Sequence, residues 1–600
     1  MGSCGKWISL RRTKLQIAAV LPAVVLIWHV VARLNNRHLE KIAAELASAK
    51  EFFGAPGPNH AGTKLFFSQT SESGVTAYLV DIATGQQKFL YEHEQSHLQG
   101  VGLLGWSPDD KLFAYSVRAP EGKIVICDGN SGDTVGTVAE SKIIAEGTWL
   151  SAESLVYLNS DQNFTVVRKA NDEWHKGRLF ANKPAEEKNP AEAGGKDRED
   201  KQKTRRSPSK AKEPIQSLTA LSATSVAWKQ GGSILGCEIG AEAPAKIWDS
   251  TTNTLLSFYF SRQRELFRLH CADKDGELVY TFYPAAIWHT ERMTAPERIS
   301  HDGISATASN LTFIEDGDGY ASFVHRQGLD TILIKPGNSP ETSLLSWDCV
   351  DNFVSTDGHV FVTGSSTNGP LEIWDYEFKS HSLHCAVPAI DHPFRYAGIS
   401  TPTDHKTTAP SGRQINFRLW SPVTFVPGNR YPLVIGFSGR RWRAQEASVP
   451  NAGAFLASFA GNGSEDWPGD TVAVLQALTE NPNIDRNRVY LMGVSAGASV
   501  SSELLEDRPD LWRGAILLSP VSFPSASHVK ASGILMDSGG NDTHLKRVGG
   551  VSRLKEFQDT AAKMGIPVTL AIHDGASHVY RSSMAERERI QEVLEFLARN

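Results

Sequence analysis

The chain has 600 residues, a formal net charge of −6 and 40% apolar residues. This length exceeds what one hydrophobic core organises, so at least two large modules are expected, and the mildly acidic balance excludes nucleic-acid binding by counterion release, which needs a concentrated basic surface. None of the six cysteines makes the C-x-x-C spacing of zinc or dithiol sites, so no metal or other cofactor is expected, and buried strand thiols are favoured over disulfides.

The first element is apolar. Lys6, Arg11, Arg12 and Lys14 precede the run Leu15–Ala32, "LQIAAVLPAVVLIWHVVA", which is near the minimum length of a bilayer-spanning helix. Trp28, His29 and Val30 stand where a cleaved signal peptide would carry small residues, which favours an uncleaved anchor over a signal peptide. Positive charge is denser before the run than after it, placing the bulk of the chain outside the cytoplasm. Residues 1–40 are read as cytoplasmic tip and anchor, and 41–60 as a linker.

From 61 to 390, short β-rich runs and turn residues recur with a period of about forty residues, the spacing of propeller blades. "LLGWSPDDKLFAYSVRAPEGKIVICDGNSGDTVGTV" gives the pattern most clearly: a Ser-Pro-Asp-Asp turn, two apolar strands and an Asx-Gly turn. Later units echo it and predict about seven blades; a β-sandwich or an array of small β domains is the alternative, because alternation alone does not close a ring. Residues 182–214 break the pattern, being rich in charge and poor in large apolar side chains, and read as a disordered loop between blades.

After 390 the runs change character. "YPLVIGF", "RVYLMGV", "AILLS", "GILMDSG" and "VTLAIHD" lack alternation, as strands buried on both faces do, and helical patterns separate several of them, which predicts a mostly parallel sheet in an α/β domain over 391–600.

The stretch "LMGVSAGASV" puts Ser495 in a G-x-S-x-G motif, weak alone but here placed between a buried strand and a helix rich in small residues, as a nucleophile elbow requires. The Ala496 N–H, at that helix N-terminus, is an expected oxyanion donor, with a second from Ser438 or Gly439 in the loop after "YPLVIGF". A serine needs a histidine to take its proton and a carboxylate to orient that histidine, in chain order Ser, acid, His. "GILMDSGGNDTHL" offers Asp537 and Asp542; Asp542 is favoured because it lies on the loop beyond the strand's carboxyl end, where sites of open α/β sheets form. His578, a short loop past "VTLAIHD", is favoured over His573 at the strand's end and over His544, which precedes that strand. Arg440, Arg441 and Arg443 crowd the early loop and could pair with a substrate carboxylate, although solvated or internally paired arginines are the blander reading.

In order and spacing of motifs, residues 61 to 600 resemble the prolyl oligopeptidase family of serine peptidases. The likeness is carried by "SPDDKLFAYSV", by "TAPSGRQINFRLWSPVTFVPGNRYPLVIGFSG", by "NPNIDRNRVYLMGVSAGAS", and by "GGNDTHL" and "GASH". It implies a β-propeller followed by an α/β-hydrolase domain, the triad Ser495, Asp542 and His578, an acyl-enzyme, and short peptides as substrates. The chain departs from the family in having Ala496 and Ala498 beside the nucleophile, as esterases of this fold do, and Phe437 where several members have a tyrosine hydroxyl. A carboxylic-ester hydrolase is thus the alternative, and a propeller-based binding protein with an inactive hydrolase module is the alternative of another class. Oligomeric state is not legible.

Overall fold

In this computed structural model the described residues are 36–49, 55–71, 74–93, 101–117, 122–140, 142, 144–179, 215–241, 243–249, 254–261, 266–273, 276–286, 289–293, 297–299, 311–314, 319–326, 329–335, 342–347, 349–356, 358–365, 369–390, 394–437, 444–459, 467–578 and 583–600. The proposed anchor Leu15–Ala32 and the charged segment 182–214 lie outside them. Among the described residues no helix is long and apolar enough to cross a membrane.

Among the described residues seven antiparallel sheets follow one another between Gly57 and Val387, each with four strands in sequential order; one carries a fifth, Glu297–Ile299, paired to its third. Each blade alternates its side chains between the blade before and the blade after, because successive residues of a strand point to opposite faces. Phe66 and Leu79 of the first blade pack with Trp106 and Tyr115 of the second, and Ile126 of the second packs with Trp149 and Tyr157 of the third. The relation repeats from third to fourth (Leu158, Trp228), fourth to fifth (Ile247, Phe267), fifth to sixth (Val279, Phe313) and sixth to seventh (Ile332, Val362). Leu65 and Phe67, the sequence neighbours of Phe66, point the other way and pack with Phe361 and Ile373 of the seventh blade. That last contact closes the ring, so the structure is a propeller rather than a sandwich. The "SPDD" turn serves the same end: Asp110 accepts hydrogen bonds from the backbone N–H groups of His60 and Ala61 in the first blade, at 3.0 and 2.9 Å. The charged segment falls between the third blade, which ends at Arg178, and the fourth, which begins at Ile215.

Among the described cysteines, Cys127, Cys237 and Cys271 lie buried in strands, whereas Cys385 is half-buried. The first three are free, and burial pushes their thiols up to about 11, about 11 and about 12.

The second module is an eight-stranded sheet. Its strands are β1 (Pro402–Thr408), β2 (Gln414–Trp420), β3 (Tyr431–Gly436), β4 (Phe455–Ser458), β5 (Ile484–Val494), β6 (Gly514–Leu518), β7 (Gly533–Gly539) and β8 (Val568–His573). They lie in the order β1-β2-β4-β3-β5-β6-β7-β8, antiparallel at β1–β2 and β2–β4 and parallel thereafter. The missing alternation of the sequence is explained by cores on both faces: Ile435, Leu491, Leu517 and Met536 join one, while Val434, Met492, Ile516 and Leu535 join the other.

Residues 36–47 are helical, which corrects the assignment of 41–60 as a linker. Leu39, Ile42, Ala43 and Leu46 follow the i, i+3, i+4, i+7 spacing of a buried helical face and pack with Ala397, Ala444, Ile590 and Leu594 of the second module. The Glu45 carboxylate fixes the contact by accepting from the N–H groups of Arg395, Tyr396 and Ala397 at 2.9, 2.7 and 2.7 Å. The second module is therefore completed by a helix that precedes the propeller in sequence.

Candidate active site

β5 runs straight into the helix α1 (Ala496–Asp507), and Ser495 is the residue at which the chain turns. Its φ is 55°, a left-handed conformation that costs a non-glycine residue energy and is found where the surroundings over-determine it. Two contacts hold it: the Ser495 N–H donates to Leu518 O at the end of β6 at 3.0 Å, and Gly493 lies so close to the helix that a Cβ there would come within 2.1 Å of Gly497. The glycines of G-x-S-x-G thus serve the close approach that presents the serine hydroxyl. Ala496 N–H belongs to the first turn of α1 and has no acceptor four residues back within the helix. Phe437, directly after β3, lies beside Gly497, where an added Cβ would come within 3.3 Å of both its Cβ and its carbonyl oxygen, and its ring packs against Phe459 and Trp467. The early loop therefore starts beside the elbow; Ser438, Gly439, Arg440, Arg441 and Arg443 lie outside the described residues.

The other two groups sit on the loops after β7 and β8. Gly539 abuts the carbonyl of Ala576 so closely that a Cβ would meet it at 2.3 Å, and Asn541 N–H donates to Ala576 O at 2.9 Å, which fastens the two loops together. Asp542 is fully buried and caps the short helix Thr543–Arg547: its Oδ1 accepts from His544 N–H and Leu545 N–H at 2.8 and 3.1 Å. Its Oδ2 accepts from His578 Nδ1 at 2.7 Å. Burial works against the charge, but the bonds from His578 and the two backbone amides outweigh it and hold the carboxyl below its usual value. An ionised carboxylate only accepts, so Nδ1 carries the proton and the lone pair of Nε2 faces Ser495 Oγ, 2.7 Å away. Ser495, His578 and Asp542 thus form one hydrogen-bonded line.

The residues set aside in the sequence reading also have defined places. The His544 ring lies 4.5 Å, centroid to centroid, from that of His578. Asp537 and His573 are bonded to each other, Nε2 to Oδ2, at 2.6 Å, away from Ser495. Arg589 joins them from the C-terminal helix α2 (Ser583–Arg599), with Nε 2.7 Å from Asp537 Oδ1 and Nη2 2.7 Å from Ser519 Oγ. Neither Ser519 nor Arg589 was marked by a motif. The available signal was an arginine on a helical face otherwise made of Ile590, Val593 and Leu594, which demands a buried carboxylate.

Residues 454–536, which contain the elbow, match the prolyl oligopeptidase family. Among solved structures, the chain is similar to one from a study of two prolyl endopeptidases (13% identity, 94% of this chain and 91% of that one, TM-score 0.65). It is similar as well to a puromycin-hydrolysing peptidase of Mycobacterium tuberculosis (13% identity, 93% and 96%, TM-score 0.66) and to a Pyrococcus horikoshii acylaminoacyl peptidase (12% identity, 91% and 95%, TM-score 0.63). At these identities the likeness shows the fold: a propeller and a hydrolase module in one chain. No curated protein sequence matches it.

Proposed function

We propose that the hydrolase module, which matches the prolyl oligopeptidase family over residues 454–536, is a serine-type peptidase that cleaves short peptides through an acyl-enzyme. Ser495 Oγ attacks the scissile carbonyl carbon as its proton passes to His578 Nε2. The C–N bond then breaks, the leaving amine takes that proton, and water repeats the sequence to free the acyl group and restore Ser495. Asp542 keeps His578 in the tautomer that can accept, and stabilises the imidazolium that forms. The developing oxyanion is met by Ala496 N–H and by a backbone N–H of the early loop, Ser438 in our reading, since Phe437 has no hydroxyl to give. Arg440 and Arg441 are the candidates for a substrate carboxylate.

The observation that carries this reading is the pair of 2.7 Å bonds that join Ser495, His578 and Asp542 behind a serine of positive φ. The closed propeller ring is consistent with selection for peptides over folded proteins. Ala496 and Ala498 favour the second reading, a carboxylic-ester hydrolase using the same groups. A fluorophosphonate probe should label the purified protein at Ser495, and short peptide amides should be turned over. An unlabelled protein would refute the nucleophile, and turnover of short-chain esters with none of peptide amides would refute the peptidase.

The run Leu15–Ala32 carries a separate proposal, a single-pass anchor that leaves both modules outside the cytoplasm. The full chain should then need detergent for extraction, and recovery of the uncleaved chain in the soluble fraction would refute it.

A further inference from the structure

Behind the triad lies a buried polar network to which nothing above assigns a role. Ser519 follows β6 immediately, is fully buried, and has a φ of 45°. Its backbone N–H donates to Asp537 O at 2.7 Å. Its hydroxyl lies 2.7 Å from Arg589 Nη2 and 2.8 Å from the carbonyl oxygen of His578. A guanidinium can only donate, so Ser519 Oγ accepts from Arg589, and the one proton of the hydroxyl is left to be donated to His578 O. Arg589 is in turn fixed by Asp537, which is fully buried and accepts from Arg589 Nε and from His573 Nε2. The polarity of the chain is set from one end: carboxylate, guanidinium, hydroxyl, then the main chain of the base.

The position is specific. The residue before Ser519, Leu518, accepts from the Ser495 N–H. Two consecutive residues at the end of β6 therefore hold the backbone of the nucleophile and the backbone of the base. His578 is otherwise carried on a loop, and Asp542 restrains its ring but not its carbonyl.

We propose that Ser519 is a positioning residue for the reaction: its hydroxyl, oriented by Arg589 and Asp537, sets the distance between His578 and Ser495. Ser519 touches neither substrate nor the reacting atoms and acts only through His578. This inference rests on the reading of Ser495, His578 and Asp542 as the triad.

The test compares Ser519→Gly and Ser519→Ala with the unsubstituted full chain. The glycine variant removes the hydroxyl while tolerating the positive φ, so it separates loss of the bond from backbone strain. Active-site titration with a fluorophosphonate gives the fraction of competent sites, and the labelling rate and kcat are then expressed per titrated site. Since small misplacements of reacting groups cost up to about 100-fold in rate, kcat and the labelling rate per site should fall roughly 10- to 100-fold in both variants, with KM within about two-fold. A residue that merely supports folding would lower the titrated fraction and leave the rate per site unchanged, and that result in the glycine variant would overturn the proposal. Failure of the triad reading is distinguishable, because the unsubstituted chain would then not label, or Ser495→Ala would still label, and the positioning role would fall with it.

Discussion

Two histidine–carboxylate pairs lie on neighbouring parts of the same sheet, and they differ in what completes them. Asp542 and Asp537 are both fully buried, and their bonds to His578 and His573 are 2.7 and 2.6 Å. The second nitrogen of His578 faces a hydroxyl, that of Ser495, at 2.7 Å. The second nitrogen of His573 faces another carboxylate, Glu588, at 2.9 Å. With acceptors on both sides His573 is held as a double donor, a cation, and has no lone pair to offer a nucleophile. With one carboxylate and one hydroxyl as neighbours, the neutral His578 ring can donate from Nδ1 and still accept at Nε2. Burial and a short bond to aspartate are thus common to both pairs, and the partner on the far side of the ring distinguishes the one proposed to act in catalysis.

The sharpest way to break this comparison is to remove the hydroxyl that defines it. Ser495→Ala should abolish both labelling and turnover, because the group bonded to His578 Nε2 among the described residues is the Ser495 hydroxyl; retained labelling would mean that a different nucleophile is in use. Next in size is Asp542→Asn. Asparagine still caps the helix at Thr543, since its carbonyl oxygen can accept from His544 and Leu545, so the fold should persist. Its amide, however, can present a donor to His578 Nδ1 and favour the wrong tautomer, for which a loss in kcat of about 10⁴-fold is expected. A loss under about ten-fold, with the protein folded, would remove Asp542 from the proposed role.

Asp537→Asn should show the reverse profile. Arg589 is buried, with only 2% of its surface exposed, and neutralising Asp537 leaves its charge poorly compensated, a change of a kind that typically costs about 3–5 kcal/mol. Stability should therefore fall more than for Asp542→Asn, while kcat per folded molecule falls by no more than about ten-fold, as expected of a side chain linked to the His578 carbonyl only through Arg589 and Ser519. Equal kinetic losses from the two asparagine variants, measured beside urea denaturation curves, would show that the pairs are not divided as argued.

The contrast also explains what was legible in the sequence. The elbow could be read because Gly493, Ser495 and Gly497 are local, and the strand and helix on either side carry their own periodicity. Asp542 and His578 could be read because each lies in a loop directly after a buried strand, so chain order sufficed. The blades could be read from turns and alternation, but ring closure rests on Leu65 and Phe67 meeting Phe361 and Ile373, a contact across nearly the whole module that no local pattern encodes. Ser519 was invisible for the same reason. Its partners, Asp537, His578 and Arg589, come from three later elements, and a serine at a strand end has no signature until those elements are packed. The helix at 36–47 is the opposite case, since its apolar spacing was present in the sequence and was passed over because the segment follows the apolar run.

The smallest effect expected is on the pH dependence of stability, and its sign follows from the two-carboxylate environment of His573. Burial tends to lower the pKa of His573, but the bonds to Asp537 and Glu588 prevail and raise it above the ordinary value. A histidine whose folded pKa is raised favours the folded state when protonated, so its contribution is complete below about 6.5 and is lost as the pH climbs through the folded value. Asp537 is held below its ordinary value, with burial opposing and Arg589 and His573 prevailing, so it stays ionised throughout this window and adds no slope of its own. Glu588 and Glu592 are the other carboxylates near His573, and burial raises the pKa of Glu592 above its ordinary value. His573→Gln removes the titrating ring while leaving an amide that can donate to Asp537. The difference in Tm between the unsubstituted chain and this variant should be largest at pH 6 and shrink by pH 9, whereas a difference constant across that range would mean that His573 is not held as a cation and that the division between the two pairs rests on position alone.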